Sequence, residues 1–291
     1  MAAMHWTAVC SIMKKAPVNK IIPFSNVDGP GNRTSIFFQG CPFNCLFCHN
    51  PETIHLCRNC GTCIAGCPVQ ALSLQDENVT WNSAACVQCD QCIKVCPYDA
   101  SPRVRYMTVE EVMTEIRRTR PYIGGITTSG GECTQYPDFL TDLFHETRAL
   151  GLTALMDSNG SLDFSKYSDL LDASDGVMLD VKAVSAAWSD TLIRYPRETV
   201  LRNLDYLLEI GKLYEVRTLI FPDRDQDNEE TVRYVAEQIK DRCFYKIIRY
   251  RPFGVRERFQ NILGTDTTDA DYAEHYAALA RSLGALKAYV I

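Results

Sequence analysis

The chain has 291 residues, 46% hydrophobic, 23% charged and 10% aromatic, which is enough apolar side chain for a full-sized core and excludes disordered, collagen-like and low-complexity chains. Thirty Lys and Arg against 36 Asp and Glu give a formal net charge of −6, which argues against a globally basic nucleic-acid binder. Fourteen cysteines are an excess that marks either disulfides or metal.

Residues 1–20 carry neither a long apolar run nor a small-residue cleavage site, and no stretch approaches a membrane-spanning apolar segment. The expectation is a cytoplasmic chain with no membrane partner, in which thiols stay reduced and clustered cysteines read as metal ligands. The first predicted strand, Thr34–Phe38, runs into Gln39-Gly40-Cys41 and a C-x3-C-x2-C triplet, Cys41, Cys45 and Cys48. Three thiolates without a fourth leave one iron of a cube open to a small molecule, the mark of a reactive site. The alternative is a structural site completed by the adjacent His49.

Two further runs follow, each C-x2-C-x2-C-x3-C-P: Cys57, Cys60, Cys63 and Cys67, then Cys86, Cys89, Cys92 and Cys96. This is the bacterial ferredoxin pattern, in which three cysteines of one run and the fourth of the other share a cube. It assigns Cys57, Cys60, Cys63 and Cys96 to one cluster and Cys86, Cys89, Cys92 and Cys67 to another. Paired zinc sites are the alternative. The short apolar pieces Ala71–Leu74 and Val79–Trp81 suit a hairpin in a module too small for a core of its own, so its clusters must act as staples.

Beyond the insert, Thr108-Val109-Glu110-Glu111 is a capping box opening a helix to about Arg120. Strand patterns at Ile123–Thr128, Thr153–Met156, Gly176–Val181, Tyr214–Phe221 and Tyr245–Tyr250 alternate with helical patterns at Asp138–Leu150, Phe164–Ala173, Glu198–Ile210, Asn228–Arg242 and Thr268–Leu283. Six βα units predict an α/β fold, an open, partial (β/α)6 version of the TIM barrel with the two-cluster module inserted after its first strand. The boundaries expected are 15–52 and 101–291 for the barrel and 53–100 for the insert. Chemistry in such sheets collects where strands end. There the chain places the cysteine triplet, Ser129-Gly130-Gly131-Glu132, Asp157-Ser158-Asn159-Gly160, Asp180-Val181-Lys182 and Arg217.

These segments, with Val27-Asp28-Gly29-Pro30-Gly31-Asn32-Arg33, Phe38-Gln39-Gly40-Cys41 and Cys48-His49-Asn50-Pro51-Glu52-Thr53, resemble the radical S-adenosylmethionine (SAM) enzymes. Among these they resemble the glycyl radical enzyme activating enzymes, and in detail the YjjW-like activases. The resemblance covers roughly residues 20–260. It implies a catalytic [4Fe–4S] cluster on Cys41, Cys45 and Cys48, whose open iron is chelated by SAM, and two accessory [4Fe–4S] clusters. It also implies Phe47 near the adenine, Gly130, Gly131 and Glu132 at the methionine amino group, and Asp157, Asp180 and Lys182 around the carboxylate and ribose. Arg217 would face the cofactor, and a monovalent cation would sit near Asp157, Ser158, Met178 and Asp180.

The implied partners are a glycyl radical enzyme, whose glycine loop is the substrate, and flavodoxin or ferredoxin as electron donor, with no nucleic acid. Asp28 and Arg33 would meet the partner. The formate-lyase activase carries Tyr-His where this chain has Tyr250-Arg251, so a histidine contact to the ribose does not transfer. On residue chemistry, Glu132 can pair with an ammonium, Lys182 with a carboxylate and Asp157 or Asp180 with a hydroxyl.

Other readings are a peptide-acting radical SAM enzyme, a nucleic-acid-modifying one, and a plain electron carrier. Peptide maturases carry extra clusters in a C-terminal extension, and nothing after Cys96 has that pattern. The second reading would use Lys246, Arg249, Arg251, Arg256 and Arg258, which read more simply as facing anionic groups or a partner protein. An electron carrier leaves Glu132, Asp157 and Lys182 unexplained. Cys10, Cys133 and Cys243 read as lone thiols.

Overall fold

A computed structural model describes residues 14–291; Cys10 lies outside them. In chain order the strands are β1 (Lys15–Ser25), β2 (Arg33–Phe38), β3 (Leu72–Gln75), β4 (Asn78–Trp81), β5 (Arg105–Thr108), β6 (Gly125–Gly130), β7 (Thr153–Ser158), β8 (Gly176–Asp180), β9 (Leu213–Ile220), β10 (Phe244–Arg249) and β11 (Ala288–Val290). Nine form one sheet in the order β11-β10-β9-β8-β7-β6-β2-β1-β5, and β3–β4 is a separate hairpin.

The six strands read from the sequence are its parallel centre, each paired with the next in chain order. β11 extends the parallel run, while β1 and β5 add antiparallel pairs at the opposite edge. β1 is hidden in the sequence by Pro17 and Pro23. Both fall in a strand whose register shifts twice, the kind of place that tolerates a missing N–H.

The sheet is rolled. Gly130 on β6 and Ile248 on β10 line the same cleft of about 250 Å³, although four strand spacings would hold them about 19 Å apart in a flat sheet. Helices cover the outer face. Val109–Thr119 starts at the expected capping box: Thr108 Oγ1 accepts from the Glu111 amide (3.2 Å) and the Glu111 carboxylate accepts from the Thr108 amide (2.7 Å). This helix buries Val112, Met113 and Ile116. The pattern placed at Asn228–Arg242 is a helix over Asp225–Ile239, because Asn228 spends its amide on both backbone groups of Phe221 and does not cap. The pattern at Phe164–Ala173 splits into a 3₁₀ turn, Phe164–Lys166, and a short helix, Ser168–Ala173. Two short helices, Ala186–Leu192 and Glu257–Leu263, carried too few turns to show a period.

The cysteine-rich segment leaves and re-enters this body at one neck, where His55 and Ala100 form a parallel bridge. Gln39, fully buried, donates its amide to the Glu52 and His55 carbonyls (2.6 Å each) and accepts from Asn19 (2.7 Å). Within the segment, Cys63, Leu72 and Cys92 gather Ile64, Val79, Trp81 and Ile93 into an apolar cluster separate from the main core. No helix of the described residues is long and apolar enough to cross a membrane.

Candidate active site

The cleft is assembled by close backbone contact. β2 ends at Phe38, and Gly130 and Gly131, leaving β6 beside it, press onto the chain that leads into Cys41. Gly130 has φ +117°, and a Cβ there would lie 2.3 Å from the Phe38 nitrogen; one on Gly131 would lie 2.4 Å from the Gly40 carbonyl oxygen. The Gly131 amide donates to Phe38 (2.9 Å) and the Glu132 amide to Gly40 (2.8 Å), so this turn and the cysteine loop form one unit. The loop is fixed elsewhere by Cys41 donating to Ile54 (2.9 Å), Asn44 to Ile193 (3.1 Å) and Leu46 to Leu192 (2.8 Å), and by the buried side chains of Phe43 and Leu46.

Cys41, Cys45 and Cys48 open on this cleft together with Phe47, Gly130, Gly131, Glu132, Asp157, Ser158, Asp180, Lys182 and Arg217. The structure therefore brings together every triplet and cofactor position read from the sequence. It adds Asn159, whose amide nitrogen lies 3.4 Å from Cys41 Sγ, and Ser129, whose hydroxyl donates to Asp157 (2.9 Å). Both stood inside quoted motifs. Leu219 and Ile248 also line the cleft; Leu219 follows Arg217 by two, the spacing that keeps a strand's side chains on one face.

Charges here are matched. The Asp157 carboxylate accepts from Arg217 (2.8 Å), which also pairs with Glu215 (2.7 Å) and donates to Met178 Sδ (3.0 Å); Lys182 sits 2.5 Å from Asp180. Burial and the nearby Asp180 push the Asp157 carboxyl up, while Arg217 and Ser129 pull it back. Burial works against charge on Lys182, but Asp180, Cys45 and Asp157 outweigh it and raise its affinity for the proton. Burial pushes the Cys45 thiol up to about 12 and the Cys41 and Cys48 thiols up as well. Such thiols become thiolates when a metal replaces the proton.

Glu132 is 1% exposed, and its carboxylate already accepts four hydrogen bonds: from the Thr134 amide (3.1 Å) and hydroxyl (2.6 Å), the Ser158 hydroxyl (2.9 Å) and the Asn159 amide (2.7 Å). Three of these bonds fall on Oε1 and one, from the Asn159 amide, on Oε2, so Glu132 ties the Gly-Gly turn to the end of β7 while Oε2 keeps an acceptor site. Arg33 is 2% exposed and lies at the start of β2, the end of the strand opposite Cys41. It donates to Thr127 Oγ1 (2.9 Å), the Ile126 carbonyl (2.6 Å) and Thr153 Oγ1 (3.0 Å), and is an internal strut, not a partner contact. Asp28 accepts from Ser25 (2.6 Å) and Ser35 (2.8 Å).

His49 does not complete the triplet through Nε2, which lies 2.9 Å from the Arg251 carbonyl. Cys133 and Cys243 are buried, and Cys133 is absent from the cleft lining. Most of the basic stretch is engaged internally: Lys246 with Glu215, Arg249 with Thr268, and Arg256 and Arg258 with Asp99.

The other eight cysteines of the two runs line two small cavities. One has Cys57, Cys60, Cys63 and Cys96; the other has Cys67, Cys86, Cys89 and Cys92. Among the described residues no three His, Cys, Asp or Glu side chains are grouped to hold a single metal ion; a cube takes each thiolate on a different iron and does not ask them to meet at one point.

Residues 35–235 match the family model of the radical SAM superfamily. A protein of Haemophilus influenzae that carries the name of a glycyl-radical enzyme activating enzyme is 31% identical over 83% of this chain and 84% of its own length. The choline trimethylamine-lyase activating enzyme of Oleidesulfovibrio alaskensis is 28% identical over 84% and 86%. The pyruvate formate-lyase-activating enzyme of Streptococcus mutans is 27% identical over 81% and 78%. Among solved structures, SuiB of Streptococcus suis, crystallised with its precursor peptide SuiA, shares the fold with a TM-score of 0.51 at 11% identity, over 83% of this chain and 44% of that one.

Proposed function

The chain belongs to the radical SAM superfamily, among the glycyl-radical enzyme activating enzymes, and from that premise we propose that it cleaves SAM reductively at a [4Fe–4S] cluster on Cys41, Cys45 and Cys48 and uses the resulting 5′-deoxyadenosyl radical to take a hydrogen atom from a backbone glycine of a partner glycyl radical enzyme. The observation that carries this reading is the single cleft onto which the three cysteines and all nine cofactor positions open. Cluster and SAM together supply the one-electron chemistry; the chain supplies orientation, charge and shelter.

Lys182, held protonated, meets the SAM carboxylate, and Asp157 and Asp180 face the ribose hydroxyls and the positive end of the cofactor. The Gly130–Gly131 turn and Oε2 of Glu132 meet the amino group, and Glu132 also ties that turn to the end of β7. Phe47, packed on Phe221 with ring centroids 5.4 Å apart, supplies an apolar face for the adenine. A monovalent cation near Asp157, Ser158, Met178 and Asp180 has less to bind, since Arg217 and Lys182 already neutralise both carboxylates.

Residues 53–100 are read as a ferredoxin-like insert in a partial barrel formed by 15–52 and 101–291. The two four-cysteine cavities have the crossed composition that a ferredoxin pair requires, three ligands from one run and the fourth from the other. Cys60 and Cys89 are exposed, which brings both accessory clusters to the surface where flavodoxin or ferredoxin would deliver electrons. The reading places the protein in the cytoplasm.

The test is anaerobic reconstitution with SAM, a reductant and a candidate glycyl radical protein, followed by EPR. A glycyl doublet on the partner that requires this chain is the expected result. SAM cleavage acting on a free peptide, with no partner radical, would contradict it.

A further inference from the structure

Residues 251–256, which follow β10, fold across the cysteine loop at three points. The Arg251 carbonyl lies 2.9 Å from His49 Nε2. Gly254 has φ +79° and approaches so closely that a Cβ would sit 2.6 Å from the His49 carbonyl oxygen. Arg256 donates from one terminal nitrogen to the Cys45 carbonyl (2.7 Å) and from the other to Asp99 (2.9 Å). Its side chain is 6% exposed and its guanidinium lies 4.5 Å from the Phe259 ring centre, while its Nε is buried without a partner. An arginine placed so deeply and left one donor short is costly unless its charge is used.

Asp99 follows Cys96 by three residues. Ile54, whose carbonyl takes the Cys41 amide at 2.9 Å, precedes Cys57 by three. Both ties from the cysteine loop therefore lead to the Cys57, Cys60, Cys63 and Cys96 cavity.

We infer that Arg256 is a positioning residue that clasps the insert to the cysteine loop through Asp99 and the Cys45 carbonyl and, as a buried cation beside Cys45, sets the reduction potential of the cluster that Cys41, Cys45 and Cys48 hold. The inference rests on the cluster assignment of the proposed function. A cluster gains negative charge on reduction, so a nearby cation raises its potential and a nearby anion lowers it. Asp99 partly cancels Arg256, and the pair works as a matched bias.

The test is an EPR-monitored redox titration of the anaerobically reconstituted full-length holoenzyme, following the cluster whose signal responds to SAM, in Arg256→Gln, Arg256→Lys and Asp99→Asn. The expected shifts are opposite in sign: downward for Arg256→Gln, upward for Asp99→Asn, with Arg256→Lys near the parent. Hydrogen exchange should quicken at residues 45–48 and 98–100 together in Asp99→Asn. Loss of packing alone would move both variants in one direction. Shifts of the same sign, or no shift with iron content intact, overturn the inference. If Arg256→Gln fails to hold iron, the sign for Asp99→Asn decides it. A cluster with no response to SAM would instead sink the proposed function.

Discussion

Glu132 shows how a residue read for one role can carry a second. A glutamate at a strand end, next to two glycines, invites an ion pair with an ammonium. The buried carboxylate also gathers four donors from three residues and joins the ends of β6 and β7 at the cleft. Its effect on SAM therefore runs through the turn as well as through Oε2. Glu132→Gln replaces one acceptor oxygen by a donor that faces other donors. A hydrogen bond to a charged group contributes about 1.5–3 kcal/mol, so the variant should weaken SAM binding roughly ten- to a hundredfold while retaining its iron. Equilibrium binding of SAM to the reconstituted variant checks this; unchanged affinity would return Glu132 to a passive role. Arg33 teaches the same lesson. Its place in a signature-like segment suggested a partner contact, but a side chain's direction depends on strand register and on which end of the strand it occupies, and neither is visible one residue at a time.

At the scale of elements, the strands that carry the chemistry were legible because they are buried on both faces and read as short apolar, β-branched runs. The capping box at Thr108 was legible because its physics is local. β5 and β11 were not, since edge strands of mixed polarity lean on partners far away in the chain, and β1, paired on both sides, was masked by its two prolines. Packing of the Gly130–Gly131 turn against the entry to the cysteine loop is the contact on which the cleft depends. Gly131→Ala forces a methyl to within 2.4 Å of the Gly40 carbonyl oxygen and 2.7 Å of that of Thr53. Overpacking of this kind costs about 1–3 kcal/mol, and the strain falls on the residues that deliver Cys41. The variant should fold, keep its accessory iron and lose SAM-dependent cleavage, measured by iron content and 5′-deoxyadenosine formation. Full activity would show that the turn yields more easily than the backbone contacts imply.

Across the whole molecule, spacing alone divided eleven cysteines into one open triplet and two crossed sets of four, and the fold collects the same three sets into three separate cavities. Spacing could not reveal how the sets are joined. The link runs through Arg256, more than 150 residues from Asp99, and only tertiary structure brings them together. Cys57→Ala removes a ligand from the accessory site beside the clasp. It should lower the iron count from about 12 to about 8 per chain, at four irons per cube, and leave the SAM-responsive signal in place. Loss of that signal would mean that the sites are not independent.

The proposed chemistry depends on one cluster with an iron free to bind SAM. EPR of the reduced, anaerobically reconstituted protein, recorded with and without SAM, tests this most directly. A cluster signal that changes on adding SAM, and that Cys41→Ala abolishes, is the predicted result. A spectrum indifferent to SAM, or zinc in place of iron at Cys41, Cys45 and Cys48, would contradict it.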